Sequence, residues 1–251
     1  MGLGISEAVG QRIKHAKRVV VLTGGGMAAE SGVPTFREAL VDGWERYDVS
    51  ELATPQAFAR NPRLVWEWYS YRRRHADGAD PSPSHRALVR LEDYFPRFTL
   101  VTQTIDSLHW RAGSHDVIEL NGCLRRARCF ECGAPALTWD DEQHVPPHCP
   151  SCGGPLRPDV VLFGEGLPQH QLRRAQQAVE SCDLFVCVGT VAPIEPVTSF
   201  PFVARRAGAL TVTIAPEDSI YAVMADVHLA QTPGRVLSEL VQMIVGSGQE
   251  N

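Results

Sequence analysis

Two Cys-x-x-Cys pairs, Cys129-Phe-Glu-Cys132 and Cys149-Pro-Ser-Cys152, with sixteen residues between them, constrain this chain more than any other feature. Each such turn aims two thiolates at one point, and two turns close a sulfur tetrahedron with no position left for water. The spacing predicts a structural zinc ribbon held by Cys129, Cys132, Cys149 and Cys152. Two disulfides would use the same four residues but are disfavoured in a reducing compartment, and a redox Cys-x-x-Cys does not account for two copies. Cys123, Cys182 and Cys187 are left over, the last two in apolar strand-like sequence, and they read as buried structural thiols.

The ribbon occupies only a small part of 251 residues, so a larger unit must carry the main core. Short β-branched runs at Arg18 to Leu22, Phe98 to Thr102, Val117 to Leu120, Leu184 to Val188 and Leu210 to Ile214 suit strands buried on both faces. Helical patterns fall between them, at Ser6 to Lys17, Asn61 to His75, Ser84 to Tyr94, Gln169 to Ser181, Ser199 to Arg206 and Arg235 to Val245. This alternation predicts an α/β fold with a Rossmann-like, doubly wound parallel sheet. Residues 1–123 and 158–251 form that unit in this reading, 124–157 form the zinc-ribbon insertion, and parts of 34–80 cover the cleft with loops and short helices.

Charged residues are 21% of the chain and hydrophobic ones 44%, with no apolar run near the roughly 18 residues that span a bilayer, so no membrane partner is expected. The N-terminal stretch lacks an apolar segment followed by a cleavage site, and a cytoplasmic location is expected. A net charge of −5 gives no general attraction to nucleic acid, although Arg72–Arg74 and Arg125–Arg126 are locally basic.

After the first predicted strand comes Thr23-Gly24-Gly25-Gly26-Met27-Ala28-Ala29-Glu30-Ser31-Gly32, a turn whose bare backbone can approach a phosphate, or else a plain tight turn. GGGMAAESGVPTFR, TQTIDSLHWRAG, the two cysteine pairs, RPDVVLFGE and VGT…EPV follow in that order over nearly the whole chain. Together they resemble the sirtuin family of NAD-dependent protein deacylases. The resemblance implies NAD and an acyl-lysine peptide in a crevice between the two units. There the acyl oxygen attacks the nicotinamide ribose, nicotinamide leaves, and a histidine takes a proton from a ribose hydroxyl.

Carried over position by position, the resemblance assigns Gly24, Gly25, Gly26, Glu30, Ser31 and Gly32 to the phosphate loop. Phe36 and Arg37 become the flexible-loop pair near the reacting ribose, Gln103, Ile105 and Asp106 ribose and carboxamide contacts, and Gly189 and Thr190 part of a second phosphate turn. Arg37 and Asp106 would otherwise read as ordinary surface or salt-bridge residues. Tyr69 and Arg72, at i and i+3 of one helix face, match a pair that reads the carboxylate of succinyl- or malonyl-lysine. Without the resemblance, Tyr69 packs with Trp66 and Arg72 to Arg74 are solvated.

Five positions depart from the family pattern. Asn121 stands where the general-base histidine is expected, and an amide takes no proton at neutral pH. Asn121-Gly122 is also a good turn former. Thr104 replaces an asparagine, Ala28 and Val191 replace serines, and Ala215 replaces an asparagine near the adenosine ribose. At about 0.5 to 1.5 kcal/mol for each lost hydrogen bond, NAD affinity is expected to fall tens- to thousands-fold. Such clustering fits relaxed selection, deliberate redesign or adaptation to another ligand. The expected function is NAD-linked protein-lysine deacylation of acidic-acyl ancestry, impaired or replaced at Asn121. The alternatives are a catalytically silent protein binding a nucleotide or acylated ligand, and an enzyme repurposed for a small acylated metabolite.

Overall fold

The computed structural model describes residues 3–140, 144–190, 195–216 and 219–246. In chain order its strands are β1 (Arg18–Thr23), β2 (Arg97–Thr102), β3 (Val117–Glu119), β4 (Gly122–Cys129), β5 (Pro135–Ala136), β6 (Leu156–Val160), β7 (Leu184–Val188), β8 (Leu210–Ile214) and β9 (Val227–Leu229). The helices are α1 (Glu7–Lys14), α2 (Gly25–Glu30), α3 (Val49–Leu52), α4 (Pro55–Arg60), α5 (Pro62–Gly78), α6 (Pro83–Tyr94), α7 (Leu108–Ala112), α8 (Gln169–Ser181), α9 (Phe200–Arg206) and α10 (Pro233–Val245).

Six strands form one parallel sheet in the order β3-β2-β1-β7-β8-β9. The apolar runs are continuous because both faces are covered. Val19, Val21, Leu100, Val186 and Val212 point to a core completed by α1, α6 and α10, while Val20, Leu22, Val101, Phe185 and Cys187 point to one completed by α8 and α9. The alternation of faces along each strand, period two, assigns neighbours to opposite cores. Chain order reverses between β1 and β7, so the strand ends diverge there and leave a crevice at their C-terminal edge.

The smaller sheet is antiparallel, β5-β4-β6, and enters directly from β3 through Asn121-Gly122. Gly122 has φ +77°, and a Cβ there would run into the Asp159 carbonyl, so this junction requires glycine. Helices α3, α4 and α5 lie over the crevice around Phe58, Val65, Trp68 and Tyr69. Helix α5 begins at Asn61, whose side chain accepts the Leu64 N–H at 3.1 Å, with Pro62 at the first helical position.

The expected doubly wound parallel sheet with an inserted ribbon is the observed architecture. Strand β9 was absent from the sequence reading. Its three residues, Val227-His228-Leu229, are too short and too polar to register as an apolar run, and only pairing with β8 makes them a strand. Among the described residues, no helix is long and apolar enough to cross a membrane.

Candidate active site

At the crevice the chain brings two glycine turns into backbone contact. The Gly26 N–H donates to the Gly189 carbonyl at 2.8 Å, and the Gly24 N–H to that of Val188 at 3.0 Å. A Cβ on Gly26 would lie 2.8 Å from the Gly189 Cα, and Gly189 itself has φ +60°. Both turns are therefore restricted to glycine by close approach rather than by local flexibility. Thr190 is buried beside Gly24.

Below these turns opens a cavity of about 550 Å³, within the range of small-molecule sites. It gathers Gly25, Phe36, Tyr69, Arg72, Gln103, Thr104, Ile105, Asp106 and Asn121 from the sequence assignments, with Ala28. It also gathers Leu162, Phe163, Gly164, Glu165 and Gln169, which the sequence reading left without roles, although RPDVVLFGE marked the segment. Gly24, Gly26, Glu30, Arg37, Gly189, Thr190 and Ala215 are not part of its wall. Arg37 is exposed. The Glu30 carboxylate accepts from the hydroxyls of Ser82 and Ser84 and from the Gly234 N–H, which ties α2 to α6 and α10. Ala215 is buried, with its carbonyl 2.9 Å from the His228 Nε2. Val191 lies outside the described residues.

Asn121 is held by two main-chain bonds. Its Nδ2 donates to the Gln103 carbonyl at 2.8 Å, and its own carbonyl accepts the Val161 N–H at 2.9 Å. Its side-chain amide thus ties it to the end of β2, and its main chain to the segment after β6. Glu165, on the opposite wall, is engaged by buried Arg157 through bonds of 2.6 and 3.0 Å. Burial pushes the Glu165 carboxyl up, but the Arg157 and Leu162 hydrogen bonds hold it below the usual carboxylate range.

Arg72 lies at the other end of the cavity with its guanidinium over the Phe36 ring at 5.6 Å and the Trp68 ring at 5.9 Å. Among the described residues no carboxylate comes within 4 Å of it; the titratable groups nearest in its surroundings are Tyr69 and Asp106. Burial pushes the Tyr69 hydroxyl up to about 12, so it remains a neutral donor. The structure therefore combines the two sequence readings: Tyr69 packs in the aromatic cover, and Arg72 is half-buried on the cavity wall rather than freely solvated.

Asp106 is 2% exposed. Burial pushes its carboxyl above the usual range, opposed by the Leu108 N–H at 2.8 Å and the Thr104 hydroxyl. Behind it runs a line of buried polar groups: Thr104 Oγ1 to Thr102 Oγ1 at 3.0 Å, Thr102 to Thr23 at 2.8 Å, and Thr23 to the His109 Nε2 at 2.9 Å. His109 packs on His85 with ring centroids 4.8 Å apart.

Burial pushes His85 down to about 4 and His109 to about 3, with the Arg86 charge lowering the first further and the adjoining His85 ring the second. Both are neutral at pH 7. Because the folded values lie below the unfolded value of about 6.5, the unfolded chain binds more protons in this window. Stability is then full above about pH 6.5 and falls as pH drops toward the folded values near 4 and 3. We expect a loss on the order of 3 kcal/mol per histidine, less than additive. Denaturant melts at pH 7 and pH 4.5 check this: a His85→Gln, His109→Gln protein should show a visibly flatter pH dependence, and identical slopes would refute it.

The four ribbon thiols stand apart from the cavity, with their ligand atoms within 4.8 Å of one another. Sγ–Sγ separations of 3.4 Å (Cys129–Cys152) and 3.8 Å (Cys132–Cys149) approach the edge of a tetrahedron with metal–sulfur bonds of about 2.3 Å. The Cys132 N–H points at the Cys129 Sγ and the Ser151 N–H at the Cys149 Sγ, each at 3.4 Å, which favours thiolates. An all-sulfur donor set of this geometry fits zinc, with no place for a substrate.

Paired glycine turns at the switch point of a parallel sheet, facing a cavity of small-molecule size, place this chain in the class of dinucleotide-type α/β proteins. The comparisons sharpen that class. The model of the Sir2 family matches residues 24–196. An NAD-dependent protein deacylase of Aquifex aeolicus is 45% identical over 85% of this chain and 89% of its own length. One from Methylococcus capsulatus is 42% identical over 92% and 94% respectively. Among solved structures, a Sir2 homologue in complex with NAD superposes with a TM-score of 0.88 at 40% identity, covering 97% of this chain and 95% of the other. The chain belongs to the Sir2 family.

Proposed function

We propose that this chain is an NAD-dependent protein-lysine deacylase by ancestry, directed at acidic acyl groups, whose rate is reduced by the amide at position 121. Support for NAD comes from the glycine turns, the cavity that contains Gln103, Ile105 and Asp106, and a relative of 40% identity named as an NAD complex. NAD, when bound, supplies the ribose carbon that an acyl oxygen attacks and nicotinamide as the leaving group. Phe36, Gln103 and Asp106 line the space that must orient it, and Ala28 and Thr104 leave fewer polar contacts there than the family pattern offers.

One observation carries the acidic-acyl reading: Arg72 is a half-buried cation on the cavity wall with no carboxylate within 4 Å among the described residues. A guanidinium so placed costs free energy that an incoming carboxylate repays through a paired fork of hydrogen bonds. A charge-assisted bond of about 1.5 to 3 kcal/mol corresponds to roughly ten- to a hundredfold. Arg72→Met should therefore lower kcat/KM for succinyl- and malonyl-lysine peptides by that factor and leave acetyl-lysine within about threefold. Equal losses on all three peptides would refute the assignment.

Two further parts of the reading follow. Residues 1–123 and 158–251 act as the NAD-type unit and 124–157 as the zinc-ribbon unit, with parts of 34–80 over the cleft, a division that the separate β5-β4-β6 sheet supports. Four reduced thiols as ligands favour a cytoplasmic setting. Acylated protein lysines are the proposed substrates. Tight NAD binding without deacylation by either the unaltered chain or the Asn121→His variant would instead favour a silent binding protein or an enzyme acting on a small acylated metabolite.

A further inference from the structure

The Arg72 guanidinium is held by ring faces rather than by acceptors, Phe36 at 5.6 Å and Trp68 at 5.9 Å, with no carboxylate within 4 Å among the described residues. A ring face attracts the cation but takes none of its N–H groups, so the fork stays free and points where the rings let it. Trp68 is fully buried and lies one turn before Arg72 on α5, so the helix itself fixes its place. Phe36 has no such anchor. It belongs to the segment 31–48, between α2 and α3, and its ring stands where the contacts of that segment with α5 put it.

Those contacts form toward the far end of the segment. The Tyr71 hydroxyl of α5 donates to the Asp42 Oδ2 at 3.2 Å. Two residues on, the Trp44 ring meets Trp68 at 5.1 Å and Tyr71 at 5.9 Å, while Phe36 meets Trp68 edge-on at 5.3 Å. Trp68 is therefore gripped by two rings of the segment, and Tyr71, stacked on it at 5.9 Å, completes the cluster. The turn that delivers Trp44 is a left-handed pair, Asp42 at φ +54° and Gly43 at φ +94°. It is closed by the Gly43 N–H on the Glu45 carboxylate at 2.7 Å and the Trp44 N–H on the Val41 carbonyl at 3.0 Å. Glycine adopts that conformation freely, whereas Asp42 adopts it at some cost and is held there by Tyr71. Asp42, Trp44 and Tyr71 are not on the cavity wall.

We propose that Asp42, Trp44 and Tyr71 are positioning residues for the acyl preference: they seat the segment on α5, the segment seats Phe36, and Phe36 with Trp68 aims Arg72 at the cavity. This rests on the acidic-acyl reading. A guanidinium held in place in the free protein loses little further freedom when a carboxylate arrives, so a succinyl or malonyl group meets a prepared fork. With the latch open, Phe36 leaves, Arg72 gains solvent and further rotamers, and the incoming carboxylate must order it. An acetyl group carries no carboxylate and draws nothing from this order.

The test reads binding, and so does not depend on the rate at position 121. Titration calorimetry on the full, zinc-loaded chain gives the preference as the ratio of dissociation constants for acetyl- and succinyl-lysine peptides. Asp42→Gly keeps the left-handed turn and removes the acceptor, and Tyr71→Phe keeps the ring and removes the donor. Each should lower the preference for succinyl by about threefold, the lower part of the range for one hydrogen bond because the pair is exposed. Trp44→Leu, which breaks the ring contacts, should lower it by about tenfold. Asp42→Asn keeps both the turn and an acceptor oxygen and should retain the parent's preference. In an Arg72→Met background, where the preference is already lost, none of these changes should move the ratio. A preference kept by Asp42→Gly, Tyr71→Phe and Trp44→Leu but lost in Arg72→Met would overturn the proposal and leave the acidic-acyl reading standing. Equal shifts with and without Arg72 would also overturn it, as an effect that bypasses the guanidinium. A parent that binds both peptides alike, or a preference that survives Arg72→Met, would defeat the acidic-acyl reading itself and the proposal with it.

Discussion

Exchange of Asn121 for His is expected to raise NAD-dependent removal of succinyl or malonyl groups from lysine by about 100- to 10,000-fold, the range that a placed general base supplies. The scaffold around the position is already suited to a ring. The Gln103 carbonyl, which accepts the Asn121 Nδ2 at 2.8 Å, can take an imidazole N–H and leave the second nitrogen for the cavity. In Asn121→His the acid limb of the pH profile should fall near the histidine value of about 6.5. Adding Thr104→Asn should increase the rate further by restoring a polar contact, though not additively, because Thr104 also ends the hydroxyl line behind Asp106. Comparison of the three proteins on acetyl-, succinyl- and malonyl-lysine peptides measures this directly. Robust deacylation by the unaltered chain, unchanged in Asn121→His, would show that the amide at 121 limits nothing.

Removal of zinc should destabilise the ribbon before it alters the chemistry. Structural zinc sites contribute on the order of 10 kcal/mol of apparent binding free energy, comparable with the whole stability of a domain. The local core around the thiols is small: Ala127, Ala136 and Leu156 with Trp66 from α5, and Trp139 set edge-on to Trp66 at 5.7 Å. Without the metal, these few side chains cannot hold the β4–β5 turn and the 147–155 segment together. Hydrogen exchange after chelation should accelerate first at Cys129–Ala136 and Cys149–Leu156, and metal analysis of the intact protein should return one zinc per chain. Because Trp66 lies one turn before Tyr69 on α5, loss of acidic-acyl preference should follow at higher chelator concentration. A Cys129→Ser, Cys149→Ser protein as stable as the parent, or a chain isolated without zinc, would refute the structural role.

The long β-branched runs were legible because a strand buried on both faces favours apolar or β-branched residues at nearly every position, and β1, β7 and β8 meet that condition. The same rule hides β9, whose three edge residues carry no run. The glycine triplet was legible as a turn, yet its reason is tertiary: Gly26 is obligatory because Gly189, far away in sequence, lies against it. Glu30 shows the reverse case. Its place in the loop motif marked it for a ligand, while the fold uses it to join α2, α6 and α10 through Ser82, Ser84 and Gly234.

By itself the sequence determined what local rules encode. Four thiols at ribbon spacing require a closed metal centre, strand and helix alternation requires a layered parallel sheet, and an amide at 121 removes an imidazole base whatever the fold. Only the tertiary structure decided which groups share an environment. The crevice arises where β1 and β7 diverge, Arg72 loses part of its solvent beside the aromatic cover, and Asp106 is buried near a line of hydroxyls from Thr23, Thr102 and Thr104 back to His109 and His85. Those five residues come from three separate segments, and no spacing in the chain relates them. The neutral state of the two histidines follows from desolvation, which exists only once the strands and helices have packed.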